Sequence, residues 1–480
     1  MSDDVDATVR AHHLVIVANR LPIHDVDGEW RRSPGGLVSA MLGVLRSRTG
    51  AWVGWNGKLD QTEDDLALPT IQEIDGADLV SVPLSSDEFS HYYEGVANGA
   101  LWPLFHDAIR ESTFDADSWV TYREVNRRFA TATARSAAPG ATAWIHDYHL
   151  LLVPAMLREI RPDLVIGFFL HIPFPPQELF MRMPWREEIL RGMLGADLVG
   201  FQRSVGAENF VALCRRLLGV EADHDQVHSE DDRRVRVGAF PISIDVHEIE
   251  QLARRPDIGA RAVEIRERLG NPTTVFLGVD RLDYTKGIDL RLISFGSLLR
   301  AHTDTTSTPQ SAPIVLVQVA VPGREGVESY VEERRTVEQL VGSVNGEHAA
   351  IGYPVVHYIR RGLTLEELVP LYLAADIMLV TPRRDGMNLV AKEFVAARMH
   401  DRGVLILSEF AGAADELTDA ILVNPHDPDA VEVAMDMALT MDPDEVEHRM
   451  SNMRKVVTTH DVHEWARTFL CDLTETGDHG

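Results

Sequence analysis

The chain has 480 residues, 45% of them hydrophobic and 25% charged, with a net charge of −28. Length and composition describe a soluble protein of two or three domains. The acidity argues against nucleic acid or an anionic membrane surface as partner, unless a local basic patch is present. Only two cysteines occur, Cys214 and Cys471, with no metal-ligand spacing. That pattern suits a reducing compartment with neither a disulfide framework nor a structural zinc.

Residues 1–10 are acidic and polar, so no signal segment is expected there, nor any membrane span elsewhere. The expected location is cytoplasmic. Leu14–Ala18 reads as a first strand that runs into Asn19-Arg20. An Arg at a strand's carboxyl end can grip a phosphate bidentately, although a surface ion pair is the ordinary use. Ser33-Pro34-Gly35-Gly36-Leu37 then precedes a helix, and its glycines allow close backbone approach to a ligand or merely form a turn. Tyr92-Tyr93 and Leu101-Trp102-Pro103-Leu104-Phe105-His106 bring aromatics suited to a sugar ring or to a core.

Ala143–Ile145 and Val165–Leu170 are strand-like, and they deliver His146-Asp147-Tyr148-His149 and His171-Ile172-Pro173 to one rim. His146, Asp147, His149 and His171 also include metal-ligand types. Aromatic and prolyl neighbours and the lack of a third carboxylate weigh against a metal. Leu150–Ile160 and Ile189–Leu194 read as helices, and Leu198–Phe201 as a strand. The segment Phe240–Asp245 reads as a joint. It separates a first unit, 1–241, from a second, 242–455, with 456–480 as a helix-bearing tail that returns to the first.

In the second unit the strands are Val275–Val279, Ile314–Val321, Ile377–Val380 and Val404–Leu407. Leu365–Leu373 is helical and Thr303–Pro313 is a polar loop. Asp280-Arg281-Leu282-Asp283-Tyr284-Thr285-Lys286-Gly287 follows the first of these strands. Arg281 and Lys286 can both reach one diphosphate, or they can pair locally with Asp280 and Asp283. Arg324 follows the next strand. Thr381-Pro382-Arg383-Arg384-Asp385-Gly386-Met387-Asn388 breaks the third, and Leu389–Ala397 reads as a helix. Free N–H groups at Met387, Asn388 and Leu389 would face an anion or a set of hydroxyls. Apolar strands alternating with helices predict an α/β fold. It consists of two Rossmann-like, doubly wound parallel-sheet domains facing across a cleft. No G-x-G-x-x-G is present, which disfavours a dinucleotide enzyme.

Taken together, the motifs resemble the trehalose-6-phosphate synthase family of retaining glycosyltransferases. The resemblance runs from Leu14 to Leu473 and is carried by N-R-L-P, G-G-L, W-x-G-W, Y-Y, L-W-P-L-F-H, H-D-Y-H-L-L, F-F-L-H-I-P-F-P, G-F-Q, R-L-D-Y-T-K-G, D-G-M-N-L-V-A-K-E and L-S-E-F-A-G-A. It implies the GT-B architecture and transfer of glucose from UDP- or ADP-glucose to C1 of glucose 6-phosphate. It also implies no metal or other cofactor, no macromolecular ligand, and a homodimer or homotetramer. By the resemblance, Arg20, Tyr93, Trp102, Asp147 and Arg324 belong to the acceptor site. Gly35, Gly36, Arg281, Lys286, Asp385, Gly386, Met387, Asn388, Leu389, Val390, Ala391, Lys392 and Glu393 belong to the donor site. His171 lies beside the reacting glucose, and Arg281, Lys286, His171 and Asp147 form the catalytic set. A front-face reaction without a protein nucleophile is expected. The charged loop Asp25–Arg32 departs from the family pattern, and no phosphatase domain is expected to follow. The rival readings are a non-catalytic relative that senses a sugar phosphate, and transfer to another phosphorylated acceptor.

Overall fold

The structure, a computed structural model, describes residues 11–26, 29–32, 38, 41, 45, 50–60, 77–108, 112–303, 314–323 and 328–477. Gly35, Gly36 and Arg324 lie outside the described residues, as does most of the loop Thr303–Pro313.

The strands in chain order are β1 (His12–Arg20), β2 (Ile23–Val26), β3 (Glu29–Arg32), β4 (Ala51–Trp55), β5 (Asp78–Ser81), β6 (Ala137–His146), β7 (Val165–Phe169), β8 (Leu198–Phe201), β9 (Gln226–His228), β10 (Arg234–Ala239), β11 (Thr274–Arg281), β12 (Ile314–Val321), β13 (Val356–Ile359), β14 (Ile377–Val380), β15 (Val404–Ser408) and β16 (Ile421–Val423). The contacts divide the chain into two units. One is Met1–Pro241 with His463–Gly480, and the other is Ile242–Val462. Residues 456–462, which the sequence reading gives to the returning tail, cluster with the second unit. The helix Pro443–Thr459 runs unbroken into them.

The first unit holds a sheet in the order β5-β4-β1-β6-β7-β8-β10-β9, parallel except for β9. From β1 the chain moves outward to β4 and β5, then returns to β6 on the other side of β1. The strand order therefore reverses between β1 and β6, and their carboxyl ends flank the crevice where such sheets bind ligands. Within the expected loop Asp25–Arg32, residues 25–26 and 29–32 lie in strands, since Ile23–Val26 pairs antiparallel with Glu29–Arg32.

The helix Val462–Gly477 seals the face of β6–β8. Phe469 stacks on Trp144 at 4.7 Å, and Trp465 donates to the Phe240 carbonyl at 3.0 Å. Gly167 and Gly200 leave the space for it. A Cβ on Gly200 would stand 2.7 Å from the Phe469 ring and 2.8 Å from Phe169. Gly200→Ala is therefore expected to destabilise the unit by about 1–3 kcal/mol through overpacking. A lowered urea midpoint with intact strand content would show it.

The second unit is a parallel sheet in the order β13-β12-β11-β14-β15-β16. Here the order reverses between β11 and β14. Val275, Leu277, Val319, Leu379 and Ile406 are buried, as expected of strands covered on both faces. No helix among the described residues is long and apolar enough to cross a membrane.

Candidate active site

Each unit presents one group of candidate residues at its reversal point. In the first, Arg20 closes β1. Gly54 lets β4 approach, because a Cβ there would meet the Arg20 carbonyl carbon at 2.6 Å. The Arg20 guanidinium lies 4.6 Å above the Trp55 ring, a cation–π contact that limits where it can swing. Trp55 packs on Phe89 at 5.3 Å, Phe89 stacks on Tyr93 at 4.9 Å, and Tyr93 stacks on His149 at 5.6 Å. An aromatic ladder thus runs from Arg20 to the β6 end. Phe89 and Tyr93 sit on a 13-residue π-helix, Phe89–Leu101, a rare geometry whose single-turn form is frequent at functional sites. The Tyr92 hydroxyl donates to Asn19 Oδ1 at 2.9 Å and pins this helix to the end of β1. Trp102 is buried against Tyr148 at 5.6 Å and against His106.

Asp147 follows β6 with φ 77°, in the left-handed region that costs a non-glycine residue of order 1 kcal/mol or more. The conformation is held from several sides. Its N–H donates to the Phe169 carbonyl at 2.8 Å, and its Oδ1 accepts from the His171 N–H at 3.2 Å. His146 and His171 sit side by side, with Nδ1 of the first 3.1 Å from Nε2 of the second. Burial holds both imidazoles below their ordinary pKa, His171 at about 3, so both are neutral at physiological pH. Among the described residues no group of three or more His, Cys, Asp or Glu could hold a metal ion.

In the second unit Asp283 builds the turn after β11. Its Oδ1 accepts from the N–H and hydroxyl of Thr285, at 3.0 and 2.9 Å, and its Oδ2 accepts from Tyr330 at 3.2 Å. The turn ends at Gly287, φ 63°, where a Cβ would stand 2.6 Å from the Thr381 carbonyl. Only glycine meets both conditions. Lys286 is thereby presented to the opposite loop, where its Nζ lies 2.6 Å from Asp385 Oδ2. Asp280 does not pair with the turn's Lys286 but with the buried Arg291, which also reaches Gln318 and Thr381.

The loop after β14 rests on a second segment. Asp385 N–H donates to the Phe410 carbonyl, Gly412 N–H to the Asp385 carbonyl, and Ala413 N–H to the Met387 carbonyl, all at 3.0–3.2 Å. This explains L-S-E-F-A-G-A, since a Cβ on Gly412 would fall 2.0 Å from the Gly386 oxygen. Asn388 caps the helix Leu389–Ala397 by accepting from Ala391 N–H, and its amide donates to Asp385. The helix's first N–H groups otherwise have no intrahelical partner. Glu393 accepts from the Tyr372 hydroxyl at 2.7 Å, and burial raises its pKa. Lys392, taken from the sequence as a donor contact, is buried. Its ammonium goes to Glu416 Oε2 at 2.6 Å and to the Ile242 carbonyl, so the side chain ties the unit together.

The model of glycosyltransferase family 20 matches residues 12–475. The chain belongs to that family. A trehalose-6-phosphate synthase from Mycolicibacterium paratuberculosis is 53% identical over 479 residues, spanning 96% of this chain and 95% of the relative. A solved structure from E. coli, bound with UDP-2-fluoro glucose, superposes with TM-score 0.86 at 33% identity, covering 96% of this chain and 98% of that one. A trehalose-phosphate synthase (UDP-forming) from Burkholderia xenovorans, in complex with glucose-6-phosphate, superposes with TM-score 0.87 at 31% identity, covering 96% and 100%. This family 20 chain is thus an enzyme, a glycosyltransferase of the trehalose-phosphate synthase kind, with two Rossmann-like domains of the GT-B class.

Proposed function

We propose that the enzyme transfers glucose, with retention and without metal, from UDP- or ADP-glucose to C1 of glucose 6-phosphate. The products are α,α-trehalose 6-phosphate and the nucleoside diphosphate. The observation that carries this reading is the pair Lys286–Asp385, joined across the β11/β14 reversal at 2.6 Å. It supplies a cation for a diphosphate and a carboxylate for sugar hydroxyls at one point. The UDP-2-fluoro glucose and glucose-6-phosphate held by the two solved relatives support the donor and acceptor classes.

In this reading Arg281 and Lys286 stabilise the departing diphosphate together with the N–H groups at the start of Leu389–Ala397. The run Gly386–Ala391 lines the donor with backbone, Asp385 and His171 hold the glucose, and Glu393 accepts from the ribose hydroxyls. Arg20, Tyr93 and Arg324 take the acceptor phosphate, with Asp147 and Trp102 at its sugar ring and Gly35 and Gly36 by the donor. The acceptor hydroxyl attacks the face from which the diphosphate leaves, and the leaving phosphate oxygen takes the proton. No protein nucleophile is used.

The test is turnover in EDTA with UDP-, ADP- and GDP-glucose against glucose 6-phosphate, with the product read by NMR. An α,α-linked phosphorylated disaccharide is expected. Its absence with every donor, despite binding of glucose 6-phosphate, would favour a sensor. A trapped glucosyl-enzyme would sink the front-face step.

Glu393 adds a pH dependence. Because its carboxyl is raised above the ordinary carboxylate value, it protonates sooner as pH falls, and the acceptor for the ribose hydroxyls is lost. The donor KM should therefore rise on the acid side, beginning above pH 4.5. The Tyr372 hydroxyl holds this carboxyl down, so Tyr372→Phe should move the onset to higher pH and leave the glucose 6-phosphate KM unchanged. An onset that stays put or moves down would remove Glu393 from the donor site.

A further inference from the structure

His146 ends β6 and His171 follows β7, strands paired in parallel with His146 opposite Phe169. Their rings share one hydrogen bond, Nδ1 of His146 to Nε2 of His171 at 3.1 Å. Two neutral rings have a single proton for that bond, and it belongs to one nitrogen or the other. The far side of His146 decides between them. Its Nε2 is buried with no hydrogen-bond partner among the described residues. The Trp144 ring stands 4.8 Å away, and its own buried Nε1–H also lacks an acceptor among the described residues. The locality is short of acceptors. If His171 donated, His146 would carry its remaining proton on Nε2 and add a second orphaned N–H. If His146 donates, only a lone pair is orphaned there, and orphaned N–H groups are the rarer, costlier case.

We propose that His146 is a positioning residue that fixes His171 in the tautomer with its proton on Nδ1. Its partner nitrogen is occupied, so His171 meets a ligand as a hydrogen-bond donor with one defined N–H. The backbone N–H of His171 is tied to Asp147 Oδ1, which anchors the residue beside His146, and the ring is held by its bond to His146 Nδ1. The inference rests on the reading that puts His171 beside the donor glucose. It deepens that reading by naming the ligand atom His171 can serve: an oxygen lone pair, not a hydroxyl proton.

The experiment is a two-bond 1H–15N correlation spectrum of the full chain, labelled with 15N-histidine at neutral pH. His171 is assigned by the cross-peaks lost in His171→Gln. The expected pattern is a protonated Nδ1 and an acceptor-type Nε2. His146→Phe should shift the proton to Nε2 and lower kcat about ten- to a hundredfold, the worth of one strong hydrogen bond, with the glucose 6-phosphate KM unchanged. His146→Gln, whose amide can donate in the same place, should restore both tautomer and turnover. A proton on His171 Nε2 in the unmodified chain would overturn the proposal, even if His146→Phe fails to fold. Unchanged kcat in a folded His146→Phe would overturn the positioning role. Failure of the parent reading would show separately, as no disaccharide product from the unmodified chain.

Discussion

Lys286→Ala is expected to lower turnover by about a thousandfold, the scale seen when a fixed charge-stabilising donor is removed from a reacting site. The reason lies in how firmly the ammonium is placed. Asp283 folds the turn by three hydrogen bonds, Gly287 closes it against Thr381, and Asp385 holds the Nζ. Water entering an alanine-sized gap would lack the charge that a leaving diphosphate needs. Asp385 would also lose its cation and keep Asn388 as the remaining donor shown for its Oδ2. Lys286→Arg should recover little, because a planar fork cannot take the place of a compact ammonium between two loops. Steady-state rates with each nucleotide-glucose, beside a melting curve confirming the fold, make the measurement. Full turnover in the alanine variant would break the leaving-group argument.

The second large effect concerns stability. Arg291 is wholly buried, bound to Asp280 and Gln318 and donating to Thr381. It joins the end of β11 to the end of β14 from beneath. Arg291→Leu would take the cation from the buried Asp280 carboxylate, leaving it the long Gln318 amide contact of 3.4 Å, and would strip the Gln318 oxygen of the Arg291 donor. Breaking a buried pair in this way costs about 3–5 kcal/mol. For a unit of this size that is a fall in Tm of roughly 10 °C. Calorimetry should resolve it. Adding Asp280→Leu to Arg291→Leu should recover much of the loss, because no charge then remains unpaired. A Tm within about 2 °C of the parent in the single variant would mean that Arg291 carries no more than a typical surface pair. If the proposed donor site holds, the same single variant should raise the donor KM, since the loops after β11 and β14 both hang on this residue.

Much of this was legible from local pattern. Ile377–Val380 is a short apolar run stopped by Pro382, and Leu389–Ala397 begins behind Asn388, a capping residue type. The structure places both elements within those bounds. The strand ends bearing Arg20, Asp147 and Arg281 followed from apolar runs in the same way. What escaped is long-range or irregular. Ala51–Trp55 is a wholly apolar, buried run that reads as the W-x-G-W motif rather than as a strand, and Asp78–Ser81 is too short and too mixed in polarity to stand out. Phe89–Leu101 winds as a π-helix, yet its buried Tyr92, Val96 and Ala100 recur every four residues, a spacing that does not distinguish it from an α-helix. Lys392 enters the donor run by resemblance, while its ion pair with Glu416, 24 residues on in the chain, leaves no local signal. Tyr372 and Arg291 were missed for the same reason, as spacing along a chain does not reveal which polar groups meet when β-strands assemble. The sequence puts His146 on a strand-end rim, but its bond to His171 spans 25 residues.

The helix Val462–Gly477 falls in the first unit from His463 onward but is made only after the second unit. All of 242–462 must be translated before it exists, and that takes roughly 10–40 s at ordinary ribosome speeds. Throughout that interval the β6–β8 face, with Trp144, Phe169, Gly167 and Gly200, lacks its cover. The second unit is contiguous in the chain and can finish first. The nascent chain therefore carries an open aromatic surface on its older half while its younger half matures, the kind of surface that chaperones recognise and that aggregation exploits.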